Sequence, residues 1–231
     1  EGVQGEGGLT AMTREFAAAL NETCRTHDIM LIADEVQTGL RRTGPLFAAE
    51  EVGLEPDIIS MSKPLAGGLP LSATLIPAKI NDVLQAGDHG TTFGGGPVTA
   101  AVAGAVWEII SDEGFGRQVA ETAEYLDRSL RRLAAEVEMV RSLRGRGLLR
   151  GLVLDPAGRD GPSNPDAATE AGSSAVKALM KAAREHGLLV LKSGDNVVRL
   201  APPLIISKKQ IDTGMAILGD ALNEIHRAGA Q

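Results

Sequence analysis

Apolar side chains recur every fourth residue at Phe16, Leu20 and Cys24, the spacing that lines one face of a helix, so residues 13–26 read as an amphipathic helix. An unbroken apolar run from Ile29 to Ala33 follows and stops at Asp34-Glu35, the signature of a strand covered on both faces. Two more short strands are expected at Asp57–Ser62 and Leu71–Ile76, and strands separated by helical or looped stretches argue for an α/β sheet. Beyond the Gly-rich segment 87–96, Pro97 to Ile110 is apolar almost all round, with Trp107 near its end, as in a helix buried between layers. A helix over Phe115–Glu136, a strand-like stretch from Val140 to Leu154 and a polar surface loop over 155–165 come next. The chain closes with a helix over Ala168–His186, one or two strands within Leu188–Leu200, and a last helix. That last helix opens on the capping box Ser207/Gln210 and carries the stripe Ile211, Met215, Leu218, Leu222 and Ile225. The change of texture near residues 111–114 divides the chain into residues 1–112 and 113–231, and no internal repeat is present.

Composition narrows the class. With 231 residues, 43% of them hydrophobic and 23% charged, the chain has enough apolar side chain for one core and a smaller second one. Lys and Arg number 23 against 30 Asp and Glu, a net charge of −7 that disfavours a nucleic-acid partner. A single cysteine, Cys24, rules out an internal disulfide framework, and the four histidines are scattered without metal-ligand spacing, so no metal site is expected. No apolar run reaches the ~18 residues of a membrane helix, and residues 1–8 lack the features of a signal peptide. The chain opens without Met inside a Gly-rich turn, which leads us to expect a preceding N-terminal part.

Asp34 stands at the carboxyl end of a strand, where ligands bind in open α/β sheets. Alone it reads equally as structural or functional. A nucleotide hydrolase would also end a strand this way, but its GxxxxGK[ST] loop is absent. Lys63 ends the next strand, about one β-loop-α-β unit later, and puts an amine beside the carboxylate. Ser62 precedes it, and the apolar, Gly-rich loop Leu65 to Pro70 follows and is expected to desolvate the amine and ease its deprotonation. Pro64 is expected to hold Lys63 in an extended conformation. Such a lysine can form a Schiff base, and an acid that keeps a pyridine nitrogen protonated completes the needs of pyridoxal phosphate chemistry.

At this point the sequence resembles the class III, ornithine- and acetylornithine-type aminotransferases, which belong to the fold-type I pyridoxal phosphate enzymes. The resemblance is carried, in order, by Gln4-Gly5-Glu6-Gly7-Gly8, Ala33 to Gly39, Arg42-Thr43-Gly44, Pro56-Asp57-Ile58, Ser62-Lys63, Gly67-Gly68, Gly87 to Gly95, Arg144 to Gly147 and Arg199 to Leu204. It implies an α/β fold: the C-terminal portion of a large, mainly parallel sheet domain, followed by a small α+β domain. It further implies pyridoxal 5'-phosphate as cofactor, with Lys63 as the catalytic lysine that binds its aldehyde and shuttles the proton. Asp34 would pair with the pyridinium nitrogen, Gln37 would bond near the phenolic oxygen, and Thr92 would reach the phosphate of a neighbouring subunit in a homodimer. Arg199 matches the arginine for the substrate α-carboxylate and Glu6 its switching partner; a guanidinium fork suits a carboxylate bidentately.

The activity implied is transfer of the δ-amino group of N-acetylornithine to 2-oxoglutarate, in arginine biosynthesis. Ornithine or another ω-amino acid as donor, and a truncated non-catalytic pseudoenzyme or dimerisation module, are the alternatives. The phosphate cradle and the ring-stacking aromatic of the family lie upstream of its first motif here. The resemblance places such an enzyme in the mitochondrial matrix or a plastid if eukaryotic, and in the cytoplasm if bacterial, with small amino and oxo acids as partners and neither membrane nor nucleic acid.

Overall fold

The hydroxyl of Thr13 accepts the Phe16 N–H at 3.2 Å and starts the first helix, α1 (Arg14–Thr26), with Arg25 in its last turn to complement the helix dipole. In this computed structural model, which describes residues 1–155 and 170–229, the chain forms two units. The first comprises residues 1–2 and 12–117, and the second residues 3–11 and 118–231. A single boundary near residue 112 therefore does not capture the organisation, because the segment 3–11 folds with the C-terminal unit. The polar loop expected over 155–165 lies, beyond Asp155, outside the described residues.

The first unit is built on the sheet β1 (Ile32–Asp34), β2 (Ile58–Met61) and β3 (Ala73–Leu75), in that order. β1 and β2 run parallel with Asp34 opposite Ser60, while β3 pairs antiparallel to β2, so the sheet is mixed. Two short helices, α2 (Ala48–Val52) and α3 (Ala78–Asn81), and the longer α4 (Pro97–Ser111) complete the unit, and the division falls just inside α5 (Glu113–Glu136). Leu40, Met61, Leu65 and Ile110 form its core, with Phe47, Ala103 and Val106 packed around them.

Two apolar stretches are only partly covered among the described residues. The run Ile29–Ala33 gives only the short edge strand β1, with Ile29, Met30 and Ile32 at 52%, 40% and 59% exposure. Successive side chains of a strand point to opposite faces, so Ala33 is buried on the one face and Ile32 stands exposed on the other. Likewise α4 is not sandwiched: Ile110 is buried, but Val98 and Ile109 are exposed, because only the side of α4 facing the 63–66 turn is packed.

In the second unit, β4 (Val140–Arg146), β5 (Leu149–Leu154), β7 (Val197–Leu200) and β6 (Leu191–Ser193) form an antiparallel sheet in the order β4-β5-β7-β6. Helix α6 (Glu170–Glu185) presents Gly172, Ala175, Val176, Leu179, Ala182 and Ala183 inward, a helical stripe that packs on this sheet and on α7 (Lys208–Gly229). The capping box is present: the Gln210 N–H donates to Ser207 Oγ and Gln210 Oε1 accepts the Ser207 N–H. β5 is buried on both faces because Val3 and Leu9, fully enclosed, cover Leu149, Val153 and Val197. Gly151 lies under this cover, where a Cβ would stand 2.6 Å from Val197 and 2.9 Å from Leu9.

This packing has two measurable consequences. Leu152 is completely buried in the central strand, so Leu152→Ala is expected to lower stability by about 2–5 kcal/mol in urea denaturation. Asp57 ties the start of β2 to that of β1: its carboxylate accepts the Leu31 N–H at 3.0 Å and pairs with Lys79 at 3.1 Å, and these bonds hold its pKa below the usual carboxylate value. A lowered folded-state pKa adds stability above the unfolded-state value that is lost as pH falls through the folded one. Asp57→Asn should therefore flatten the acid limb of the stability curve, read by denaturant midpoints across that range.

Candidate active site

Asp34 owes its place to the parallel pairing. The strand ladder continues one step past it, through the Glu35 N–H donating to Ser60 O at 2.9 Å, so the Asp34 side chain is presented at the strand end. Its Oδ1 accepts the Val36 N–H at 3.0 Å and the Ser60 hydroxyl at 3.3 Å. Among the described residues nothing bonds Oδ2, and the side chain is exposed. The carboxylate thus has one oxygen anchored and one available to a cationic N–H.

The loop after Asp34 is held from inside by Glu35, 2% exposed. One carboxylate oxygen accepts the Ala49 N–H at 2.8 Å, at the start of α2, and the other accepts the Thr38 hydroxyl at 2.5 Å. The Thr43 hydroxyl then donates to Thr38 O at 3.1 Å, and Thr38 and Thr43 are themselves buried. A buried carboxylate persists only when its oxygens are bonded, and here those bonds fix the turn on which half-buried Gln37 sits. In the same loop, burial draws the Arg42 guanidinium down to about 10, which still leaves it charged at neutral pH.

Lys63 departs from both of its expectations. It is not extended: it opens the 3₁₀ turn Lys63–Ala66 with φ +42°, a left-handed conformation rare for a side-chain-bearing residue and worth about 1–3 kcal/mol of strain. Pro64 occupies the first turn, where its missing N–H costs nothing, and the strain is held by buried Leu65 and Ala66 and by the Ser62 hydroxyl on Leu71 O at 2.9 Å. Nor is the amine desolvated by the following loop: Leu65 and Ala66 turn into the core, residues 67–70 are exposed, and so is Lys63. Among the described residues its Nζ has no hydrogen bond or ion pair. Thr92 lies in an irregular exposed stretch and makes no hydrogen bond to Asp34, Gln37 or Lys63.

In the second unit Glu6 and Arg199 meet. Arg199 Nη1 donates to Glu6 Oε1 at 2.6 Å and to Gly5 O at 2.8 Å. The arginine side chain is 11% exposed and the glutamate side chain 71%, so a buried cation is neutralised by a carboxylate that stands largely in solvent. The sequence therefore names two groupings that the fold assembles, Asp34 with Lys63 at adjacent strand ends and Glu6 with Arg199. It misses Ser60, Glu35 and Ser193, whose buried hydroxyl donates to Gly5 O at 2.8 Å and accepts the Gly8 N–H at 3.0 Å. Ser60 becomes visible once β2 is laid parallel to β1, and Glu35 stands in the Asp-Glu pair at the strand end, but nothing local marks Ser193.

The profile of the family Aminotransferase class-III matches residues 1–222. The succinylornithine transaminase of Yersinia pseudotuberculosis is 39% identical over 225 residues, 97% of this chain and 51% of that protein. The acetylornithine aminotransferase of Vibrio vulnificus is 38% identical over 222 residues, 96% of this chain and 52% of its own length. Among solved structures, the acetylornithine aminotransferase of Elizabethkingia anophelis superposes with a TM-score of 0.80 at 34% identity, over 96% of this chain and 55% of that one. The chain belongs to the class III aminotransferase family and has its fold-type I architecture. It spans about half the length of the curated relatives it matches.

The buried Glu35 gives a direct test of the loop. Glu35→Ala strands the Ala49 N–H and the Thr38 hydroxyl and should cost about 1–3 kcal/mol in urea denaturation, whereas Glu35→Gln, which keeps an acceptor for Ala49, should cost less.

Proposed function

We propose that this chain carries the lysine, the ring-nitrogen acid and the carboxylate switch of a pyridoxal phosphate-dependent aminotransferase. Its reaction would move the δ-amino group of N-acetylornithine to 2-oxoglutarate in arginine biosynthesis. The observation that carries the reading is the parallel β1–β2 pair, which brings Asp34 to one strand end and Lys63 just past the other. The donor set fits the cofactor: an exposed amine without an ion pair among the described residues, beside a carboxylate with one oxygen uncommitted. When bound, pyridoxal phosphate supplies an aldehyde for an amine and a protonated ring that takes up electrons.

The residues then divide the work. Lys63 holds the aldehyde and moves the proton at the reacting carbon, a role that general acid–base catalysis values at roughly 10²–10⁴-fold. Asp34 keeps the ring nitrogen protonated through Oδ2, and Gln37 bonds near the phenolic oxygen. Arg199 takes the α-carboxylate of the dicarboxylic partner with its fork, and Glu6 neutralises Arg199 while the amine donor is bound. Thr92 serves the phosphate of a second subunit in a homodimer, a reading that the exposed apolar side chains of Phe93, next in sequence, and of Val98 support. The more similar sequences are named for an acylated ornithine, acetyl and succinyl both represented at 38–39% identity, while the ornithine aminotransferases among the similar structures are 28–29% identical.

The test is the absorbance of the purified chain with pyridoxal phosphate, before and after N-acetylornithine, N-succinylornithine or ornithine. A lysine-bound chromophore that appears in the unsubstituted protein, is bleached by an acylornithine and is absent in Lys63→Ala is the expected result. A chromophore that persists covalently in Lys63→Ala would falsify the assignment of Lys63.

A further inference from the structure

Ser60 stands directly across the parallel ladder from Asp34 and meets the Asp34-Glu35 pair twice. Its carbonyl accepts the Glu35 N–H at 2.9 Å, which continues the ladder, and its hydroxyl donates to Asp34 Oδ1 at 3.3 Å. The residue is half-buried, and among the described residues its hydroxyl bonds to Asp34 alone.

This second bond bears on where the other carboxylate oxygen points. The last torsion of an aspartate side chain is soft, with a broad and roughly two-fold preference. The Val36 N–H at 3.0 Å holds Oδ1, but a single donor lets Oδ2 swing about that point. Packing does little to stop it, because Asp34 is exposed. A donor to a carboxylate oxygen prefers to lie near the carboxylate plane. Two donors from different elements, the loop after β1 and the neighbouring strand β2, therefore define that plane and with it the direction of Oδ2. At 3.3 Å the hydroxyl bond is long, so what it contributes is direction more than strength. A cationic ring N–H then meets an oxygen already aimed, without the cost of ordering it.

We propose that Ser60 is a positioning residue for Asp34: its hydroxyl fixes the carboxylate plane and so sets, through Asp34, the affinity for a protonated ring nitrogen. The inference rests on the transaminase reading for the identity of the ligand.

The experiment titrates the whole chain by calorimetry with pyridoxal phosphate and, in parallel, with the analogue in which a C–H replaces the ring nitrogen. Aldehyde and phosphate are the same in both compounds, so the ratio of the two Kd values isolates the ring nitrogen. Asp34→Ala is measured first and should bring that ratio to about one. Ser60→Ala should then cut the preference for pyridoxal phosphate about tenfold while leaving the Kd of the analogue within about twofold. Ser60→Thr, which keeps the hydroxyl, should restore the preference to within about twofold of the unsubstituted chain. Hydrogen exchange at the Glu35 amide, whose bond to Ser60 O needs no side chain, is the control for the β1–β2 pairing. Should that protection be lost in Ser60→Ala, Ser60→Val against Ser60→Thr, nearly equal in size and differing in the hydroxyl, makes the same comparison. A preference unchanged by loss of the hydroxyl, or two affinities weakened alike, overturns the proposal and leaves Ser60 a residue of the sheet alone. If the unsubstituted chain binds neither compound, or its preference survives Asp34→Ala, the transaminase reading of Asp34 has failed. That outcome is recognisable before any Ser60 variant is made, and it takes the proposal with it.

Discussion

The parallel pairing of β1 with β2 is the constraint on which the candidate chemistry depends. Antiparallel neighbours would send Asp34 and the end of β2 to opposite edges of the sheet; parallel ones bring both strand ends to the same edge. The register does more than align them. With Asp34 opposite Ser60, the serine hydroxyl and the Val36 N–H share one carboxylate oxygen, and the buried Glu35 locks the backbone immediately after it. Asp34 and Lys63 are left exposed while Glu35, which holds the loop after Asp34, is enclosed, a division that keeps a polar site compatible with a folded core.

The second unit solves a different problem. Its central strand β5 is apolar on both faces, and α6 with α7 lies against the sheet on one side only. The other side is closed by a short segment from the start of the chain, whose Val3 and Leu9 are enclosed and whose ends meet in the single bridge between Val3 and Ala11. Burial of these two side chains is what brings Glu6 to Arg199, so the Glu6–Arg199 ion pair is a by-product of covering a sheet.

How much of this the sequence disclosed depended on the range of the interactions involved. The amphipathic stripes of α6 and α7, the capping box at Ser207 and the strand-end carboxylate are local patterns, and they were legible as such. Among the described residues Ile32 and one side of α4 stand uncovered, since an apolar run reports that a surface is suited to burial, not what lies against it. The backbone of Lys63 was misjudged for a related reason. The preference of a residue before proline is weak, and the anchoring of Leu65 and Ala66 in the core outweighs it. The bonds of Ser193 were invisible because their partners, Gly5 and Gly8, lie nearly the length of the chain away.

Gly151 extends this long reach to a residue with no chemistry of its own. It has an ordinary strand conformation and no polar role, yet any side chain there would press on Val197 and Leu9 at once. Leu9 belongs to the segment that carries Glu6, so a side chain at Gly151 would press on the support of the Glu6–Arg199 ion pair while leaving both of its residues intact. In comparing divergent members of the family, a small residue in the middle of this strand therefore reports on whether that segment can lie against the sheet.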